Sequence, residues 1–169
     1  MATTATSDNF SAFLDNCIDH VGHAYGVDGF KPLQKLCLAT LVKGQDVLAC
    51  LPTGYGKSLI YQTWSSLSHM LARGGYRGVE NGIVIVISPL ISIMEDQTRL
   101  LTSKGIRAAY VGKDERTDQA IIDGEYNVVF GSPESLVSNP SWRSVLQTQL
   151  YRQRLVGIAV DEVHTVVDW

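Results

Sequence analysis

Cysteine is scarce: the 169 residues hold three, Cys17, Cys37 and Cys50. The number is odd, no two are close in sequence and no C-x-x-C occurs, which argues against a disulfide framework or a zinc site. Cys37 and Cys50 stand among apolar neighbours and are expected to be buried, in a reducing compartment. Long apolar runs are also missing. The longest, Ile83–Ile87, falls far short of a membrane span, and the opening MATTATSDNF has neither the basic nor the apolar region of a secretory leader. The expectation is a soluble, intracellular protein with no membrane partner. Nor is there a large excess of charge of either sign. A formal net charge of -3 gives no general pull toward a polyanion, so any such site must be local. Arg73, Arg77, Arg99, Lys104 and Arg107 suit either a strand-binding patch or an ordinary solvated surface. There is no internal repeat and no low-complexity linker, so one domain over residues 8–169 is expected, after a loose polar tail at 1–7.

What is present is a globular share of apolar residues, 45%, in alternating patterns. Phe10, Phe13, Leu14, Cys17, Ile18 and Val21 recur at helical spacing behind Ser7 or Asp8 as a cap, and Gly22, Gly26 and Gly29 break the pattern. A second helix runs from about Pro32 to Val42, with Pro32 suited to a first turn and Gly44 to the stop. A short apolar strand at Asp46–Cys50 leads into a glycine-rich turn and a helix over about Lys57–Leu71. Strands follow at Ile83–Ile87, near Ala108–Val111, at Asn127–Phe130 and at Leu155–Val160. They alternate with helices at Ile91–Lys104, near Thr117–Ile122 and over about Trp142–Tyr151. Alternation of this kind predicts an α/β fold with a mainly parallel sheet flanked by helices.

Two segments carry chemistry. Leu51-Pro52-Thr53-Gly54-Tyr55-Gly56-Lys57-Ser58 lies between an expected strand and a helix, the setting of a phosphate loop. Gly54 and Gly56 let the backbone curl so that its N–H groups and the helix N-terminus face a phosphate. Lys57 reaches the outer phosphates, and the Ser58 hydroxyl is a magnesium ligand. Leu51 stands where the general pattern has its first glycine, and an ordinary glycine turn is the plain alternative. The second segment, Asp161-Glu162-Val163-His164, ends the strand Leu155–Val160. Beside a phosphate loop, Asp161 would hold magnesium, Glu162 would orient the attacking water and His164 would relay to neighbouring groups. Alone it is an acidic strand end. The two together, in an α/β chain, point to ATP bound with Mg2+ and hydrolysed.

Three further segments resemble the RecQ family of superfamily 2 DNA helicases. Phe30-Lys31-Pro32-Leu33-Gln34 is similar to the family's adenine motif F-R-x-x-Q, with Lys31 in the arginine position and Val27 where an aromatic residue is common. Ser88-Pro89-Leu90-Ile91-Ser92-Ile93-Met94-Glu95-Asp96-Gln97 resembles its motif Ia, and Gly131-Ser132-Pro133-Glu134-Ser135-Leu136 its motif Ib. Tyr61-Gln62 after the phosphate loop also matches. The resemblance covers about residues 25–169. It implies a RecA-like phosphate-loop lobe of a 3′-to-5′ DNA helicase, truncated after the DExH motif and lacking the second RecA-like lobe. It also implies that Lys31 and Gln34 join Thr53, Gly54, Tyr55, Gly56, Lys57 and Ser58 around ATP. Ser88, Pro89, Ser92, Gln97, Ser132 and Trp169 would face a DNA single strand at a duplex junction, and a eukaryotic member would be nuclear. In the family a later strand inserts between the Lys57 and Asp161 strands. Without it and the second lobe, the isolated chain is expected to be less stable and at best competent to bind nucleotide. The rival reading is a non-catalytic nucleotide- or DNA-binding protein ending at Trp169. A phosphate-loop kinase or GTPase fits the Gln34 and Ser88–Gln97 segments less well.

Overall fold

In the computed structural model, residues 3–163 are described, with side chains from residue 9 onward. The chain falls into two compact units, Met1–Glu80 and Asn81–Trp169.

The first unit is helical among its described residues. It contains α1 (Thr3–Ala24), α2 (Pro32–Val42) and α3 (Lys57–Arg73), with α1 and α2 both packed on α3. The spacing read from the sequence delivers Leu14, Cys17, Ile18 and Val21 to the core, where Leu67 and Leu71 of α3 are buried as well. Tyr25, just past α1, is buried, and its hydroxyl donates to the Gln62 carbonyl (2.7 Å), tying the end of α1 to α3. Phe10 and Phe13 pack their rings on Tyr76, with centroids 5.1 and 4.8 Å apart.

Four expectations need correction here. The helix already begins at Thr3, where a loose tail was expected, because extending a formed helix by one residue costs far less than nucleating it. It also runs through Gly22. A Cβ there would stand 3.1 Å from the Phe30 ring, so this glycine gives the ring room to pack instead of stopping the helix. Residues 46–50 are not a strand. Leu48 is 76% exposed and Cys50 is exposed, not buried. A strand needs a ladder partner for its N–H and C=O groups, and no strand is described in this unit to supply one.

The second unit is α/β. Its strands are β1 (Ile83–Ile87), β2 (Ala108–Tyr110), β3 (Val128–Gly131) and β4 (Leu155–Val160), in the order β2-β3-β1-β4. Every pairing is parallel, as the alternation predicts. β1 is buried on both faces, which is why it reads as unbroken Ile and Val. Ile83, Ile85 and Ile87 join Ala109, Val111, Ile121, Val129, Leu136 and Tyr151 in one cluster. The connecting helices are α4 (Ile91–Ser103), packed on β2 and β3, and α5 (Glu115–Ile122), packed on β2. The stretch expected as one helix over 142–151 is divided into α6 (Pro140–Leu146) and α7 (Gln149–Arg154), preceded by a π-helical turn at Glu134–Ser138. The division falls at Thr148, whose hydroxyl accepts from the Tyr151 N–H as the cap of α7. Trp142 packs against the cluster. β4 is an edge strand among the described residues, with Ile158 49% and Val160 42% exposed. No described helix is long and apolar enough to cross a membrane.

Candidate functional site

The phosphate loop is held by the first turn of α2. Lys31 is the cap of that helix, and Gln34 three residues on reaches back to accept the Lys31 N–H at Oε1 (2.8 Å). The other end of the same amide turns to the loop. Its Nε2 donates to the carbonyls of Gly56 (2.9 Å) and Tyr55 (3.2 Å). Gln34 is only 3% exposed, so these bonds are largely shielded from water.

Peptide planarity makes this grip directional. In a trans peptide the C=O and the following N–H point in opposite directions, and no cis bond is present. Carbonyls 55 and 56 turned toward Gln34 therefore aim the N–H groups of Gly56 and Lys57 the other way. Those are groups a phosphate cradle uses. The curl needs left-handed backbone at Gly54 (φ 75°) and Gly56 (φ 90°). A Cβ on Gly56 would also lie 2.6 Å from Gln34 Nε2, so this glycine is required twice over. Gly56 then caps α3, which starts at Lys57. Lys57 Nζ donates to the Leu51 carbonyl (3.0 Å) across the loop. Thr53 and Gly54 are exposed, and Ser58 is half-buried in the first turn of α3.

Gln34 was assigned from the resemblance to an adenine edge. In the structure its donors and its acceptor are engaged within the protein. Phe30 of the same motif is buried against Gly22 and serves packing. Sequence reasoning missed the loop-holding role of Gln34. No local signal shows it, because the loop carbonyls that Gln34 holds lie 21 and 22 residues along the chain.

In the second unit, three motifs leave the sheet at one edge. Register pairs Ile87 with Gly131 on one side and with Val160 on the other. Ser88, Ser132 and Asp161 thus follow the carboxyl ends of three adjacent parallel strands. The Ser88 N–H donates to the Gly131 carbonyl (3.0 Å) and the Asp161 N–H to the Ile87 carbonyl (2.9 Å). The chain proceeds from β1 to β2 and β3 on one side, then places β4 on the other, so β1/β4 is the switch point of the sheet. Ligands of open α/β sheets bind outside the carboxyl ends at such points.

Asp161 is half-buried and Glu162 exposed; the Glu162 N–H donates to Asp161 Oδ1 (3.1 Å). Glu162 has left-handed backbone, φ 53°, uncommon for a residue with a side chain and typical of sites where geometry outranks local comfort. His164 and Trp169 lie outside the described residues.

The motif Ia residues divide. Ser88 is 1% exposed, its Oγ has no hydrogen-bond partner among the described residues, and its N–H continues the β1 pairing to Gly131. Pro89 and Gln97 are half-buried and Ser92 is exposed near the start of α4. Glu95 accepts from the Tyr110 hydroxyl (2.9 Å), which fixes α4 to β2 and raises the phenol's pKa. At motif Ib the Ser132 hydroxyl accepts the Ser135 N–H (3.2 Å). Hydrogen bonds from Ser132 and from its own backbone hold the Glu134 carboxyl below its usual range. Of the basic candidates, Arg99 pairs with Asp96 (3.3 Å) and Arg107 donates to Asn127 (2.9 Å). His20 and His23 are exposed, and no group of metal-binding residues occurs among the described residues outside the motifs above.

A glycine loop that opens a helix, and an acid pair at the carboxyl end of a parallel strand, define a phosphate-loop ATP-binding protein. The family is specific: residues 31–169 match the DEAD/DEAH box helicases, and the chain belongs to that family. Within it the similarity runs to RecQ-type helicases. ATP-dependent helicase SGS1 of Saccharomyces cerevisiae is 30% identical over 92% of this chain and 11% of that protein. Putative ATP-dependent DNA helicase Q1 of Caenorhabditis briggsae is 35% identical over 86% of this chain and 23% of its own length. ATP-dependent DNA helicase RecQ of Synechocystis is 32% identical over 86% and 28%. The chain thus spans between about a tenth and under a third of these relatives. The crystal structure of DUF1998 helicase MrfA shares the fold, with a TM-score of 0.63 over 89% of this chain and 24% of that one, at 20% identity.

Proposed function

We propose that this chain is the ATP-binding lobe of a RecQ-like 3′-to-5′ DNA helicase. The reading rests first on the placement of motif Ia, motif Ib and the Asp161-Glu162 pair at the carboxyl ends of adjacent strands. Such an edge brings strand contacts and hydrolysis chemistry within reach of one moving element. The relatives that carry "DNA helicase" in their names support DNA as the nucleic acid.

The roles follow from chemistry. The N–H groups of Gly56 and Lys57 face phosphate, and Lys57 Nζ exchanges the Leu51 carbonyl for the outer phosphates of ATP. The Ser58 hydroxyl and the Asp161 carboxylate are hard oxygen donors, the set that suits magnesium and not zinc. Magnesium, when bound, neutralises phosphate charge. Glu162, exposed at the strand end, orients the attacking water, and His164 relays to neighbouring groups. Gln34 reads adenine by exchanging its loop carbonyls for the base edge, so base recognition and loop shape draw on one side chain. Ser92, Gln97, Ser132 and Trp169 contact a DNA single strand. Arginines from a second RecA-like lobe supply the transition-state charge, so this chain alone binds ATP and turns it over negligibly.

The test is titration with a fluorescent ATP analogue in magnesium, comparing wild type with Lys57→Ala and Gln34→Ala. Binding that is lost in the first variant and weakened in the second, with discrimination against guanine analogues reduced, supports the assignment. Equal binding by all three proteins would refute it.

A further inference from the structure

Lys31 stands in the arginine position of the adenine motif, yet its side chain points at the phosphate loop. Its Nζ lies 4.7 Å from the centroid of the Tyr55 ring and 3.5 Å from the Gly54 carbonyl oxygen. Tyr55 fills the variable position between the two loop glycines, where any residue satisfies the motif, and it is half-buried there. The first turn of α2 thus touches three consecutive loop carbonyls: Lys31 at Gly54, and Gln34 at Tyr55 and Gly56.

We propose that Lys31 and Tyr55 are a positioning pair for the triphosphate, with the Tyr55 ring holding the Lys31 cation against the loop so that the loop tip stays turned toward α2. This rests on the reading of the loop as an ATP site. The Lys31 main chain is already held by its N–H bond to Gln34 Oε1, so its side chain starts from an anchored root. A cation over an aromatic face is attracted by the ring quadrupole, and the neighbouring carbonyl adds a second acceptor. Drawing the Gly54 carbonyl toward α2 stiffens the loop just before the two peptides that Gln34 orients. The pair acts on the phosphates through the loop and touches neither base nor phosphate itself. Lys31 would then contribute loop order in place of base stacking, which an ammonium performs less well than a guanidinium.

The experiment measures binding of Mg-ATP and of inorganic tripolyphosphate to the full chain and to Tyr55→Leu, Tyr55→Phe, Lys31→Met and the Tyr55→Leu/Lys31→Met double variant. Tyr55→Leu changes no charge and is expected to weaken both ligands about two- to fivefold, the range of an exposed cation–ring contact. Tyr55→Phe keeps the ring and should bind like wild type. The double variant should be no weaker than Lys31→Met. Loss confined to ATP would make Tyr55 a base contact and overturn the proposal. So would additive losses, unchanged or tighter binding in Tyr55→Leu, or failure of phenylalanine to rescue. If wild type bound neither ligand, the ATP-site reading itself would fall, and this inference with it.

Discussion

Changing Gln34 to Glu alters one atom of the side chain and reverses its electrostatics. Oε1 still accepts the Lys31 N–H, but the donor that serves the Gly56 and Tyr55 carbonyls at 2.9 and 3.2 Å becomes an oxygen facing two oxygens. Two hydrogen bonds at roughly 0.5–1.5 kcal/mol each are lost, and a carboxylate must be desolvated at a site 3% exposed. A destabilisation of about 2–4 kcal/mol is expected at neutral pH. For an 80-residue unit, each kcal/mol lowers Tm by roughly 4–8 °C. The pH dependence has a definite sign. Burial and the two carbonyls favour the protonated acid, so its folded pKa rises above the unfolded value of about 4.3. Stability relative to wild type is then retained below that value and lost as pH rises through the folded pKa. Thermal melting from pH 4 to 8, with ATP-analogue binding alongside, should show a deficit at pH 8 that shrinks toward pH 4. A variant that melts and binds like wild type at every pH would show that Gln34 does not hold the loop.

Other perturbations probe the second unit. Burial pushes the Tyr151 phenol up to about 12, and its hydroxyl donates to the Ile121 carbonyl (2.6 Å). A raised folded pKa means that this stabilisation is complete below about pH 10 and fades between there and about 12. Tyr151→Phe removes this bond while the Ile121 carbonyl keeps the Gly124 N–H (2.9 Å), and should cost roughly 0.5–1.5 kcal/mol by urea unfolding at pH 7, with less loss of stability above pH 10 than wild type shows. β4 carries no charge and no proline along Leu155–Val160, so nothing on the strand itself blocks edge pairing. Ile158 is half exposed, and Ile158→Lys should lower Tm by no more than a degree or two in thermal melting; a larger drop would show that the side chain is packed.

Much of the fold was legible because local and tertiary demands agree. Ile83–Ile87 is too β-branched and too evenly apolar for anything but a doubly covered strand, and Pro32 and Gly44 bracket α2 by their backbone chemistry alone. Asp46–Cys50 was misread because apolar character says nothing about whether a ladder partner exists. Gly22 was misread because a bare position also serves a ring packed on the helix, and Phe30 is distant in the chain from the pattern it completes. The division at Thr148 was visible in principle, as a capping residue inside a helical period. The site was legible as motifs and less so as geometry. The motifs mark Lys57 and Asp161 as candidates, and the family resemblance adds Gln34. Neither could show that Gln34 grips the loop, that Ser88 is buried, or that Lys31 leans on Tyr55, since each depends on where separate segments meet.

Asp161 is proposed as a ligand of the magnesium that accompanies ATP. The most direct test is the magnesium dependence of ATP-analogue affinity in wild type and Asp161→Asn. Wild type should gain about tenfold or more on adding magnesium, whereas Asp161→Asn should keep its magnesium-free affinity and lose most of that gain. A full magnesium effect in Asp161→Asn, with wild-type affinity, would contradict the assignment.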